Sequence, residues 1–188
     1  MPNQALRVSK RLVKRANAHG EDSIFAAESI RRKAVVIPLW HEGFYANMPG
    51  WVHLTIPEIL ALPEHQRELF FRYGTDEYFD LIAGPLTIES VTTLDNFINH
   101  SCEPNLGYDE HGNIVAREDI AAGAELFVDY GCFTVNFDET FMCRCGAATC
   151  RRRVTRDDWK TLALRHGYKM PRFLHPHIGL LLSDRKNQ

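Results

Sequence analysis

The sequence predicts a β-rich α+β domain, and three observations predict it. Apolar segments with strand character are short and numerous. Helical patterning is confined to one central stretch and one near the end. The 188 residues are 45% hydrophobic and 24% charged, enough to bury one sizeable core and typical of a globular domain.

In chain order, SIFAAESI (23–30) and AVVIPLW (34–40) read as strands joined by the basic turn Arg31-Arg32-Lys33. Thr55 to Glu58 has capping-box spacing with Pro57 in the first helical turn. Pro63 restarts the helix, and EHQRELFFRYG runs to a stop at Gly74, with Leu69, Phe70 and Tyr73 on one core-facing side. NLGYDE and NIVARED flank His111-Gly112 as a hairpin. ELFVDYG (125–131) is a further strand. Thr155 to Asp158 opens a last helix, DWKTLALRH, which Gly167 ends. The tail, with Pro171 and Pro176, is expected to be irregular.

A net charge of -2 gives no general case for nucleic acid as a partner, and direct nucleic-acid binding is not expected. No apolar run approaches the roughly 20 residues that span a membrane, so no membrane partner is expected. The basic N-terminal run MPNQALRVSKRLVKR has no apolar segment after it; it reads as a solvated strand or tail rather than a secretory signal. Five cysteines, an odd number with three inside eight residues, argue against a disulfide framework and for an intracellular, reducing compartment.

Cys143, Cys145 and Cys150 form C-x-C-x4-C, with Gly146 as a hinge. Three thiols this close suit a structural zinc ion, which takes four ligands. The fourth ligand lies elsewhere, among Cys102, Cys132 and nine histidines. Upstream, NFINHSCEPN (96–105) crowds Asn99, His100, Ser101 and Cys102 into adjacent positions before a Pro-Asn turn. Read singly, Cys132 is a buried free thiol, Trp159 and Tyr168 are as well explained by core packing as by a lid, and Arg151-Arg152-Arg153 with Arg156 is a solvated face.

Taken in order, NFINHSCEPN, ELFVDYG and C-x-C-G-x3-C-R resemble the SET-domain protein lysine methyltransferases with a cysteine-rich post-SET segment. FAAESI (25–30) is similar to the family's opening β element. The resemblance implies a SET fold of small curved sheets, with the NHSC loop and the DYG strand meeting in a knot-like crossing. It divides the chain into a SET domain (6–136), a post-SET zinc segment (137–154) and a C-terminal helix and tail (155–188). It implies S-adenosylmethionine as cofactor, held by Asn99, His100, Ser23, Ile24, Phe25 and Tyr130, with Tyr130 catalytic and Asp129 supporting its strand. It implies structural Zn2+ on Cys102, Cys143, Cys145 and Cys150. The implied partner is a protein or peptide carrying a target lysine, in the cytoplasm of a prokaryote or in the nucleus or cytoplasm of a eukaryote.

Three positions depart from the family pattern. Glu21-Asp22-Ser23 stands where Gly-x-Gly is usual, Arg152 replaces a glycine, and Val128 occupies a position linked to the number of methyls added. The altered glycine segment favours the alternative, a catalytically inactive SET-like module that binds a partner protein.

Overall fold

The computed structural model describes residues 11–38, 48–136 and 141–186. In its first half lie β1 (Leu12–Ala16), β2 (Asp22–Ala26), β3 (Val35–Ile37), β4 (Trp51–Leu54), α1 (Ile56–Leu60), α2 (Glu64–Tyr73), β5 (Thr75–Tyr78) and β6 (Leu81–Pro85). The second half holds β7 (Asn99–His100), β8 (Leu106–Tyr108), β9 (Ile114–Ala116), β10 (Phe127–Val128), β11 (Phe141–Met142), β12 (Arg153–Val154), α3 (Asp158–His166) and α4 (His175–Lys186). Among the described residues the strands form small sheets in the orders β1-β2, β3-β9-β8, β4-β6-β5, β7-β10 and β11-β12. The β-rich α+β class expected from the sequence is what the chain adopts.

Local chemistry sets the turns. Asn17 Oδ1 accepts the amides of His19 and Glu21 at 2.9 and 3.1 Å, closing the β1–β2 hairpin with Gly20 at φ 79°. Asp109 does the same between β8 and β9, accepting from His111 and Asn113, and Gly112 takes φ 82°. The Glu58 carboxylate accepts the Thr55 amide at 2.8 Å and its hydroxyl at 2.7 Å, which fixes the start of α1. The predicted stop at Gly74 holds for a steric reason: its φ is -64°, but a Cβ there would meet the Phe70 carbonyl oxygen at 2.5 Å.

Most buried residues form one cluster, including Ile24, Ile37, Leu106, Ile114, Leu126, Met170, Leu174 and Ile178. Ile59, Phe70 and Ile82 make a second, smaller one beneath α1 and α2. Of the predicted α2 face, Phe70 is fully buried, whereas Leu69 and Tyr73 are half-buried.

Four expectations need correction. The 23–30 strand ends at Ala26, opposite Leu12 at the start of β1; beyond it the Ala27 amide donates to the Arg11 carbonyl at 2.8 Å and Ile30 bridges Ile120. Of 34–40, Val35–Ile37 is strand, and Leu39 and Trp40 lie outside the described residues. Of 125–131, only Phe127–Val128 is strand: Asp129 then accepts the Gly131 amide at 3.0 Å and turns Tyr130–Cys132 into a 3-10 turn. The tail is helical. Pro176 falls in the first turn of α4, where a missing amide costs nothing, and Ile178 of that helix is wholly buried.

Asp76 on β5 ties this scaffold to the segment after Tyr130. Its Oδ2 accepts the amides of Val135 and Asn136 at 2.6 and 3.0 Å. Burial outweighs those amides and raises its pKa from 3.8 to about 7. A carboxyl raised on folding favours the protonated native state. Its contribution is therefore fully present below pH 3.8 and is lost as pH rises through about 7. Asp76→Asn, which keeps an acceptor oxygen, should flatten the fall in melting temperature across that window; an unchanged pH profile would refute this.

Candidate functional site

The site begins with a parallel pairing. Asn99 faces Phe127 and His100 faces Val128, and the Ser101 amide donates to the Val128 carbonyl at 3.0 Å. Asn105 clamps the crossing by donating to the Glu125 carbonyl at 2.8 Å and accepting the Phe127 amide at 3.0 Å. The NHSC loop and the DYG segment, distant in sequence, are thus held side by side.

Tyr130 emerges from this pairing. Its hydroxyl donates to the Ile98 carbonyl at 2.8 Å, and burial pushes its pKa up to about 12. The phenol therefore stays neutral at physiological pH and serves as a fixed dipole rather than a base. Phe133, Phe141 and His100 surround its ring, with centroids at 5.4, 5.9 and 5.4 Å. The Tyr130 amide donates to His100 Nδ1 at 3.1 Å. Burial lowers the His100 pKa, with Asp129 opposing, which favours a neutral ring.

Asn99 donates to the Asp22 carbonyl at 3.4 Å, which brings the 21–25 segment beside the NHSC loop. The other residues expected to hold a cofactor are placed less openly. Ser23 is wholly buried and its hydroxyl donates to Glu125 at 2.5 Å. Ile24 is wholly buried in the core, and its carbonyl accepts the Leu126 amide at 2.8 Å. Phe25 is half-buried beneath the Arg15 guanidinium at 4.4 Å. The Asp22 carboxylate is paired with Lys14 at 3.0 Å. A cleft of about 360 Å³ lies elsewhere, lined by Phe79, Asp80, Asn136 and Trp159 among others, and none of the expected cofactor residues lines it.

Cys102, Cys143, Cys145 and Cys150 bring their four sulfurs within 4.8 Å of one another. A tetrahedral zinc–thiolate centre with Zn–S of about 2.3 Å puts sulfurs about 3.8 Å apart, and Cys102 Sγ lies 3.8 Å from Cys143 Sγ. Backbone amides point at the sulfurs: Cys102 at Cys145, Cys145 at Cys143, Arg151 at Cys102 and Arg152 at Cys150, at 3.4–3.5 Å. Burial raises the Cys102 thiol and pushes Cys143 up to about 12. At Cys145, burial is outweighed by the Cys102 and Ala147 amides and neighbouring thiols, which bring it down to about 6. This donor set fits a soft-leaning divalent cation. Arg152, in place of the family's glycine, adopts φ 65° to deliver its amide. Glu103 braces the loop by accepting from the Thr149 amide and hydroxyl.

Arg151 is the residue the sequence reading misplaced. It is not part of a solvated face: its guanidinium grips Asp129 at 2.5 and 2.7 Å and reaches Asp158 at 2.9 Å. The signal was available, since an acid beside a buried tyrosine requires a partner. Phe141 was missed too, because nothing in FMC marks it as facing Tyr130. Cys132 is buried as expected, and burial pushes its thiol well up. Trp159 packs in the core and Tyr168 lies exposed against His175.

Comparison with known proteins gives a SET-domain family match over residues 21–131. Histone-lysine N-methyltransferase ATX2 of Arabidopsis thaliana is 37% identical over 87 residues, 42% of this chain and 8% of the relative. Histone-lysine N-methyltransferase ASHH2 of the same plant is 32% identical over 114 residues, 54% of this chain and 6% of the relative. The chain therefore spans under a tenth of the length of these relatives. Among solved structures, KRYPTONITE in complex with mCHG DNA and SAH covers 76% of this chain and 28% of its own, at TM-score 0.47 and 21% identity. An active polycomb repressive complex 2 in the basal state covers 70% of this chain and 17% of its own, at TM-score 0.44 and 23% identity.

Proposed function

Because the chain belongs to the SET-domain family, we propose that it is a protein-lysine N-methyltransferase using S-adenosylmethionine, with a structural zinc ion on its four clustered cysteines. The observation that carries this reading is the parallel pairing of Asn99-His100 with Phe127-Val128, which sets Tyr130 beside the loop expected to hold the cofactor. The kinship to histone-lysine methyltransferases makes histone tails the first substrates to test.

When bound, the cofactor supplies a sulfonium methyl for in-line attack by a lysine amine. The chain's own residues then position, desolvate and stabilise. Tyr130 keeps its proton, and its bond to Ile98 fixes the hydroxyl oxygen, which on this reading would face the reacting groups. Phe133 and Phe141 pack against the Tyr130 ring, with Phe141 on the exposed side. A desolvated lysine loses charge more readily than one in water, where its pKa is about 10.4. Since Ser23 and Ile24 have buried side chains, any hold they have on the cofactor is through backbone. Cys102, Cys143, Cys145 and Cys150 would hold the zinc, which fixes the loop and takes no part in transfer.

Labelled-methyl transfer from S-adenosylmethionine to core histones and free histone-tail peptides tests the reading. Label on lysine is the expected result. No label on any histone or on a broad protein mixture, with metal and fold intact, would instead favour the catalytically inactive interaction module.

A further inference from the structure

We propose that the His100 imidazole is a positioning strut joining the metal-binding sulfur of Cys102 to the backbone of Tyr130, and that it does not face a ligand. The proposal rests on the methyltransferase reading for its kinetic consequence, but not for its geometry. The His100 side chain is only 5% exposed. Its Nδ1 accepts the Tyr130 amide at 3.1 Å. A ring nitrogen that accepts an N–H carries a lone pair, so the proton of the neutral ring sits on Nε2. Nε2 lies 3.4 Å from Cys102 Sγ, placing an N–H donor on the sulfur.

The Val128 backbone carbonyl also bears on the ring, as the rival acceptor for its proton. Asp129 Oδ1 is 3.7 Å from Nδ1, and it already accepts from Gly131 and Arg151. Phe141 stands edge-on to the ring at 5.3 Å, and the Tyr130 ring is tilted against it at 5.4 Å. A second tie runs parallel: the Arg151 amide donates to Cys102 Sγ at 3.4 Å while its guanidinium holds Asp129. Cys102 is thereby connected twice to the Asp129-Tyr130 pair. A thiolate accepts an N–H far better than a thiol does, so a cation on the cysteines strengthens both ties. Metal occupancy then sets where Tyr130 stands.

The two ends of the strut are separable. His100→Asn retains an oxygen near the Nδ1 position for the Tyr130 amide but offers nothing to Cys102. His100→Gln retains a nitrogen donor near the Nε2 position but loses the Nδ1 acceptor. With Co2+ in the cysteine site, the thiolate-to-metal absorption bands should shift in His100→Asn and stay close to wild type in His100→Gln. Bands unmoved in His100→Asn would overturn the metal end of the proposal. Both variants should lose kcat on the order of 10-fold, with cofactor Kd and peptide KM within about twofold. A loss confined to cofactor Kd would show instead that the ring faces the ligand. Should the variants fail to fold, long-range 1H–15N spectra of the metal-loaded wild type decide the matter. They should show His100 protonated on Nε2 alone; a proton on Nδ1 would overturn the proposal. The cobalt and nitrogen readouts need no substrate, so they stand or fall separately from methyl transfer.

Discussion

Tyr130→Phe should reduce methyl transfer by about 10²–10³-fold, the scale of removing one preorganised dipole from a transition state. The change deletes only the hydroxyl and its bond to Ile98. The ring contacts with His100, Phe133 and Phe141 all survive, so the fold should lose only about 1 kcal/mol. Cofactor affinity should change little, since the loss is specific to the reacting centre. The check is single-turnover transfer beside calorimetric cofactor binding on the same preparation. Unchanged turnover would remove Tyr130 from the mechanism.

Cys145→Ser should have the other large effect. It removes the sulfur whose pKa, despite burial, neighbouring amides bring down to about 6 and which accepts the Cys102 amide at 3.5 Å. Metal retention against a chelator should fall on the order of 100-fold or more, and the melting temperature with it. The described part of the segment has few other supports: a two-residue pairing of β11 with β12, the Glu103 brace and the Arg151 grip. Metal analysis and thermal melts with and without chelator test this. Wild type that carries no metal and melts normally would rule out the metal role of the cluster.

The parts of the fold that were legible in the sequence are those fixed by short-range chemistry. The capping box at Thr55, the Gly112 hairpin and the α3 pattern each announce themselves within a few residues. The NHSC and cysteine motifs were legible because several chemically unusual side chains fall together, and the structure gives each an employment: Asn99 to Asp22, His100 to Tyr130, Ser101 to Glu103, Cys102 to the thiol cluster. What was not legible depends on distant partners. ELFVDYG reads as a long strand, yet it is paired in pieces: Glu125 bridges Phe25, and Phe127–Val128 lies beside Asn99–His100. Pro171 and Pro176 read as breakers, although each stands at a helix start where proline is tolerated. Arg151 looks like its neighbours Arg152 and Arg153 until the fold places Asp129 and Asp158 on either side of it.

The central claim is that the Asn99-His100 crossing and Tyr130 form a cofactor-dependent transfer site despite Glu21-Asp22-Ser23. Its most direct test is a calorimetric titration of S-adenosylmethionine into metal-loaded protein, run with and without a lysine-bearing histone-tail peptide. Saturable one-to-one binding in at least one condition is the predicted result. No heat of binding in either, with the metal bound and the fold intact, would contradict the account and leave a SET-fold module that works without the cofactor.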